Sequence, residues 1–385
     1  MKEKEEKIRR ILNERNMTFE SIASDTDEKA EEPCERFKKP MDIYFTLKVT
    51  ADMEMPYWYN RIWQENNGEI TEVRRAKAVA QSYARTTPTI LPWEKLVMNK
   101  TKNIRGAFPF PWVTASFFNA QAEALMSEVD EPALSEADNI SRVGTGGGNV
   151  TSSYGEVISI AKKFGMRKED IPVLVKVSKD WVNASVESLS TQYAKMLPQY
   201  DQYKSVMDSV VCMFDSYAIP QGREQINYYL PLEYGFDGII AECDKYIEEF
   251  LGEAGDDGIL GMSRGYYYVA VKETAKGLSK WCENYANKAK ELAKYEPDQE
   301  FKKNYEEIAE VMSNIAHKKP ESFREALQLT LCLHLGVVNE DPQSGQSIGR
   351  LGQILEPFYQ KDLREGKITE EGALELLELY RIKIT

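Results

Sequence analysis

The stretch from Asn339 to Tyr359, Asn-Glu-Asp-Pro-Gln-Ser-Gly-Gln-Ser-Ile-Gly-Arg-Leu-Gly-Gln-Ile-Leu-Glu-Pro-Phe-Tyr, constrains this chain more than any other. An apolar helix, opened by the capping box Ser322-Phe-Arg-Glu325, delivers the chain to it. Two serines, three glycines and one arginine then alternate with apolar residues. Glycine lets backbone approach a neighbour or a ligand closely. Ser344, Ser347 and Arg350 offer hydroxyls and a guanidinium to an anionic group. The same residues also suit a strand entry with a satisfied turn, and their chemistry alone leaves both readings open.

The rest of the chain is helix-rich with short extended segments between helices. Leu278, Trp281, Cys282, Tyr285, Ala289 and Leu292 keep the spacing of one buried helical face, within a long helix predicted from Tyr266 to about Leu292. Further helices are predicted at 2–16, through Arg74–Ala80 and ending before Pro88, at 115–127, from the capping box Ser153-Tyr-Gly-Glu156 to Phe164, at 235–251, at 299–316 and after Thr369. Gly252 to Gly261 reads as a glycine-rich acidic loop. Ile90 to Met98 reads as a buried extended segment. Phe108-Pro-Phe-Pro-Trp112 is excluded from a central strand by its prolines. The aromatic density between Met41 and Trp63 marks a packed surface. Residues 21–40 are polar and hold two prolines, which divides the chain into an N-terminal helix and arm, 1–40, and a main body, 41–385. This alternation suits an α/β class, with helices as the outer layer of a parallel sheet, and leaves a mostly α protein open.

Charge and cysteine usage exclude several functions. A net charge of −13 and a pI near 5.0 oppose binding to nucleic acid or to an anionic membrane. No apolar h-region follows the first residues and no apolar run is long enough to span a bilayer, so a cytoplasmic chain is expected. The five cysteines form no Cys-x-x-Cys pair, which fits a reducing compartment. His317 and His334 lack ligand-like spacing, so no metal site is expected. Gly144-Thr-Gly-Gly-Gly-Asn149 lacks the Gly-Lys-Ser/Thr ending of a phosphate loop and is read as a flexible connection.

Several blocks together resemble the glycyl radical enzymes, the pyruvate formate-lyase-like superfamily. They are His317-Lys-Lys-Pro-Glu-Ser-Phe-Arg-Glu-Ala-Leu-Gln328, Ser347-Ile-Gly-Arg-Leu-Gly-Gln-Ile-Leu-Glu-Pro-Phe-Tyr359 and Glu371-Gly-Ala-Leu-Glu-Leu-Leu377 with Lys383. Upstream, Arg74-Arg-Ala-Lys-Ala78, Thr89-Ile90 and Glu94-Lys-Leu-Val97 are similar to that family's N-terminal helical layer. Gly352 stands where most members have Asp. With Ala51-Asp-Met-Glu-Met-Pro-Tyr-Trp58 and the Asn-Glu-Asp start at Asn339, it resembles the arylacetate decarboxylase branch. Members of that branch convert 4-hydroxyphenylacetate to p-cresol, or indoleacetate to skatole.

The resemblance implies the helix-rich N-terminal half of a ten-stranded α/β barrel. It implies a carbon–carbon lyase working anaerobically through a glycyl radical on a C-terminal part, with a thiyl cysteine also expected beyond Thr385, so that this chain alone is inactive. No cysteine here stands in the family's Gly-Cys-x-Glu setting. Arg142-Val-Gly-Thr-Gly146 has Thr145 where the radical glycine belongs. Cys212 and Cys332 are expected to be buried apolar residues. The implied partners are an arylacetate substrate, an S-adenosylmethionine radical activating enzyme, a small iron–sulfur subunit and further copies of the subunit. By the same resemblance Ser344 binds the substrate carboxylate, while Phe214 and Ile219 pack on its ring. Arg223 orients a carboxylate or pairs with a core acid. The alternatives are an indoleacetate decarboxylase, another glycyl radical lyase or dehydratase, and an inactive helical fragment or interaction protein.

Overall fold

A computed structural model describes residues 50–112, 170–200, 224–252, 258–340 and 346–384. In chain order these residues form β1 (Thr50–Ala51), α1 (Glu54–Glu65), α2 (Thr71–Arg85), β2 (Gly106–Ala107), α3 (Ile171–Trp181) and α4 (Val186–Lys195). Then come β3 (Glu224–Gln225), α5 (Tyr229–Leu251), α6 (Gly258–Tyr295), α7 (Gln299–Ile315), α8 (Phe323–Glu340), β4 (Gln346–Ser347), α9 (Leu351–Arg364) and α10 (Glu370–Ile384). The helices predicted at 2–16, 115–127 and 153–164, the polar arm, the 144–149 loop and Cys212 lie outside the described residues.

The spine is α6, 38 residues and therefore about 57 Å long. Its predicted face is the buried one: Trp281, Cys282, Tyr285 and Ala289 are all fully buried. Gly277 lets α2 cross at close range, because a Cβ there would lie 2.4 Å from the Ala80 Cα. Beside that crossing Trp281 stacks on Tyr83, ring centres 5.0 Å apart. The helix begins at Gly258, eight residues before the predicted start at Tyr266. Gly258 and Gly261 were read as loop in sequence but belong to the helix, and Gly265, just before the predicted start, is a packing position, with Leu251 of α5 filling the space a Cβ would need. Likewise α5 extends before Gly235, where it kinks at φ 67° against the Lys318 backbone. Caps fix the remaining starts. Asp298 accepts from Glu300 and Phe301 N–H at 2.9 and 3.3 Å. In the predicted capping box, Ser322 Oγ accepts from Glu325 N–H, and Glu325 Oε2 accepts from Ser322 N–H.

The segment at 90–98, predicted to be buried and extended, is largely buried but not extended: it turns at Pro92–Trp93, where Glu94 N–H donates to the Leu91 carbonyl at 3.1 Å, and it joins no strand among the described residues. Its backbone groups are met by helix side chains instead. Asn304 of α7 donates to the carbonyls of Pro92 and Glu94. Arg324 of α8 donates to that of Lys95. The Gln328 amide accepts from Val97 N–H and donates to Val97 C=O, both at 2.8 Å, as a strand neighbour would. Tyr285 hydroxyl accepts from Asn99 N–H. Lys383 of α10 ties in Glu94 and Asn99 from the far side, and the Lys383 and Glu94 side chains are both more than nine-tenths buried. Met98 carries a positive φ of 88° within this clamp.

Both sheets are parallel two-stranded pairs: β1 with β2, Thr50 opposite Gly106, and β3 with β4, Glu224 opposite Gln346. As predicted, the proline-rich run from Phe108 follows β2 without entering the sheet.

Gly277→Val should lower unfolding free energy by at least about 2 kcal/mol in urea denaturation, because the added atoms meet backbone at the α2–α6 crossing. Gln328→Leu should cost about 2–4 kcal/mol in the same assay, since it strands two buried groups of Val97.

Candidate functional site

The end of α8 and the start of the segment leading into α9 each make defined contacts. Buried apolar side chains line α8 on all sides, as expected for a helix inside a protein. Cys332 is one of them, as predicted, and its sulfur lies 3.6 Å from that of Cys282. At the C-terminal end, Tyr83 hydroxyl donates to the Gly336 carbonyl, Arg75 pairs with Glu340 at 3.2 Å, and Asn339 Nδ2 donates to the Lys100 carbonyl at 3.1 Å. Asn339 is almost wholly buried, and its Oδ1 has no hydrogen-bond partner among the described residues. Lys100 holds its ammonium 5.3 Å from the centre of the Phe108 ring, and burial lowers its pKa to about 8.

Past the loop, β4 lies against β3, with Gln225 opposite Ser347. Ser347 is exposed, and its Oγ accepts from Gly349 N–H at 3.1 Å. That serine therefore closes its own turn, which matches the structural rather than the anion-binding reading for this position. Gly349 has φ +60°, a conformation that suits glycine, and the Gln225 side chain covers it. Exposed Arg350 follows as the residue before α9, its carbonyl accepting from Ile354 N–H. At Gly352 nothing would meet an added Cβ, so the glycine there is required neither by space nor by a positive φ.

Of the residues singled out in the sequence, Ser344, Phe214, Ile219 and Arg223 lie outside the described residues. The strand pair begins one residue after Arg223 and two after Ser344. Asn339, Lys100 and Gln225 carry no signal in sequence as site neighbours, because each depends on a contact with a residue at least a hundred positions away. Inside α8, His334 is buried, with Nδ1 unpartnered among the described residues, and burial lowers its pKa from 6.5. Among the described residues no group of three or more His, Cys, Asp or Glu is placed to hold a metal ion. No described helix is long and apolar enough to cross a membrane.

Comparison with known proteins gives a consistent result. The profile of the family described as "Pyruvate formate lyase-like" matches residues 18–385. The chain is 68% identical, over 385 residues, to the 4-hydroxyphenylacetate decarboxylase glycyl radical subunit of Clostridium scatologenes, covering 100% of this chain and 43% of that protein. It is 28% identical over 367 residues to the indoleacetate decarboxylase of Tractidigestivibacter scatoligenes, covering 94% of this chain and 40% of that one. Among solved structures, the glycerol-bound B12-independent glycerol dehydratase from Clostridium butyricum superposes with a TM-score of 0.73 at 22% identity, over 93% of this chain and 40% of its own. The chain thus spans less than half the length of the relatives it matches. The shared fold is the glycyl radical enzyme barrel, of which the described residues supply helices and short parallel strands.

The buried imidazole of His334 has a stability consequence. Its folded pKa is depressed, so below about pH 6.5 the unfolded chain binds a proton that the folded chain resists, and stability falls with pH through that window. Denaturant midpoints at about pH 7.5 and about pH 5.5 should differ less for His334→Gln than for the unaltered protein.

Proposed function

This chain belongs to the pyruvate formate-lyase-like family, and we propose that it forms the N-terminal part of a glycyl radical decarboxylase converting 4-hydroxyphenylacetate to p-cresol and CO2. The observation that carries the substrate assignment is the 68% identity extending over all 385 residues. The 28% identity to the indoleacetate enzyme supports the arylacetate class more than the indole ring.

An arylacetate offers no carbonyl placed to receive the electrons of a departing carboxylate, so heterolytic loss of CO2 leaves a poorly stabilised carbanion. The glycyl radical and its thiyl cysteine supply one-electron chemistry that avoids it. The described residues do not fit either role. Cys243, Cys282 and Cys332 are buried in helices, and Cys243 and Cys282 have raised thiol pKa values. For Cys243 the cause is desolvation; for Cys282 it is first the hydrogen bond with Cys332 and then desolvation. On this reading both radical sites belong to polypeptide that the longer relatives have and this sequence does not contain. This chain's own task is to bind, orient and exclude water.

Ser344 is assigned to the substrate carboxylate, Phe214 and Ile219 to its ring, and Arg223 to a carboxylate or a structural ion pair. The register of β3 and β4, which start just after Arg223 and Ser344, supports placing these two in one site. An S-adenosylmethionine radical enzyme is assigned as activator, with a small iron–sulfur subunit, self-association and a cytoplasmic, anaerobic setting. The word "subunit" in the relative's name supports an assembly of chains.

A charge-assisted hydrogen bond contributes about 1.5–3 kcal/mol, so Ser344→Ala in the full-length activated enzyme should lower kcat/KM for p-cresol formation at least about tenfold. Unchanged kinetics would remove the serine from the site. Faster turnover of indoleacetate than of 4-hydroxyphenylacetate by the unaltered enzyme would overturn the substrate assignment.

A further inference from the structure

Two of the buried cysteines are in contact. Cys282 lies on α6 and Cys332 on α8, 50 positions apart in sequence, and their sulfurs are 3.6 Å from each other. Neither side chain is exposed to solvent at all. The helix crossing around them holds this contact in place. One turn away Gly336 of α8 faces Leu278 of α6, and an added Cβ there would lie 3.2 Å from Leu278 Cδ2. Stepping from 278 to 282 on α6 and from 336 to 332 on α8 keeps the antiparallel helices in register, one contact per turn. Tyr83 pins the crossing: its ring stacks on Trp281, and its hydroxyl donates to the Gly336 carbonyl.

A single buried cysteine is a small apolar packing residue and needs no other account. Two thiols in register differ, because they can exchange their hydrogens for a bond. Disulfide sulfurs sit about 2.05 Å apart, so closure from the observed contact takes about 1.6 Å of approach, shared between rotations of two short side chains. Burial selects the oxidant. A bulky disulfide such as oxidised glutathione has no line of attack on either sulfur, whereas hydrogen peroxide is small and uncharged.

We propose that Cys282 and Cys332 form an oxidisable dithiol that hydrogen peroxide converts to a disulfide, stapling α6 to α8. One sulfur attacks a peroxide oxygen; an S–O bond forms, the O–O bond breaks, and the departing oxygen takes the thiol proton and leaves as water. The second sulfur then attacks the resulting sulfenic sulfur; the S–S bond forms, the S–O bond breaks, and the remaining thiol proton leaves with the hydroxyl as a second water. Two thiols are oxidised and one peroxide is reduced. Cys282 holds its proton tightly, first through its hydrogen bond with Cys332 and then through burial, so the first attack falls to Cys332. The proposal is independent of the substrate assignment.

The test uses the full-length protein, purified without air and not activated, and treated with hydrogen peroxide under conditions that leave its far-ultraviolet circular dichroism unchanged. Free thiols are then alkylated in denaturant, and the protein is digested with trypsin without reductant for mass spectrometry. The expected product joins peptide Trp281–Lys288 to peptide Glu325–Arg350, two hydrogens lighter than their sum. It should be at least tenfold more abundant than in untreated protein, and dithiothreitol should release it. The same treatment in urea should give at least tenfold less of this product, because the unfolded chain scatters its pairing over the other cysteines. Recovery of both cysteines as alkylated free thiols overturns the proposal, as does pairing of either one chiefly with another cysteine, or a yield no higher in the folded protein than in urea. Oxidised glutathione in place of peroxide should leave both thiols unmodified, and a glutathione adduct on either in the folded protein also overturns it.

Discussion

The amide of Gln328 paired with both backbone groups of Val97 is the interaction on which the rest of the architecture depends. A buried irregular segment inside a helical layer has no strand beside it, and each unpaired N–H or C=O left dry costs about 1–3 kcal/mol. Here the helices take over the role of a sheet. Asn304, Arg324, Gln328, Tyr285 and Asn339 come from α6, α7 and α8, and each spends a side chain on the backbone of residues 92–100. This fixes where the three helices sit relative to one another, beyond what non-directional apolar packing specifies.

The clamp also reaches the C-terminal end of α8. Asn339 ties the end of α8 to the Lys100 carbonyl, and Ser347 closes a turn onto Gly349 N–H. Between those anchors the chain carries the residue assigned to the substrate carboxylate.

Helices were readable from sequence where a capping box or a regular apolar spacing marks them, whereas α1, α3, α4 and α9 were not predicted. The spacing from Leu278 to Ala289 and the box at Ser322 and Glu325 both appear as expected. Glycine misled where it serves packing: Gly261 was read as the end of a loop and Gly265 was left outside the predicted helix, yet both are buried positions of α6, and Gly265 makes room for Leu251. Burial of the 90–98 segment was legible from its apolar run, but its mode of satisfaction was not, since Gln328 lies more than two hundred residues further on. In the last helix, Leu376 and Tyr380 are core residues while Leu374 and Leu377 face solvent, a distinction that a leucine-rich pattern does not make. At the loop, composition alone left the serines ambiguous. Ser347 proves to serve its own turn, because only the observed hydrogen bond to Gly349 distinguishes a turn hydroxyl from a binding one.

The partnership of β3 with β4 has a consequence in time. Their paired residues are separated by about 120 positions along the chain. At roughly 5–20 residues per second of synthesis, β3 waits on the order of 6–24 s on the ribosome before its partner exists. Through that interval the two residues of β3 have no strand to pair with, and the parallel contact can form only after α5 to α8 have been made.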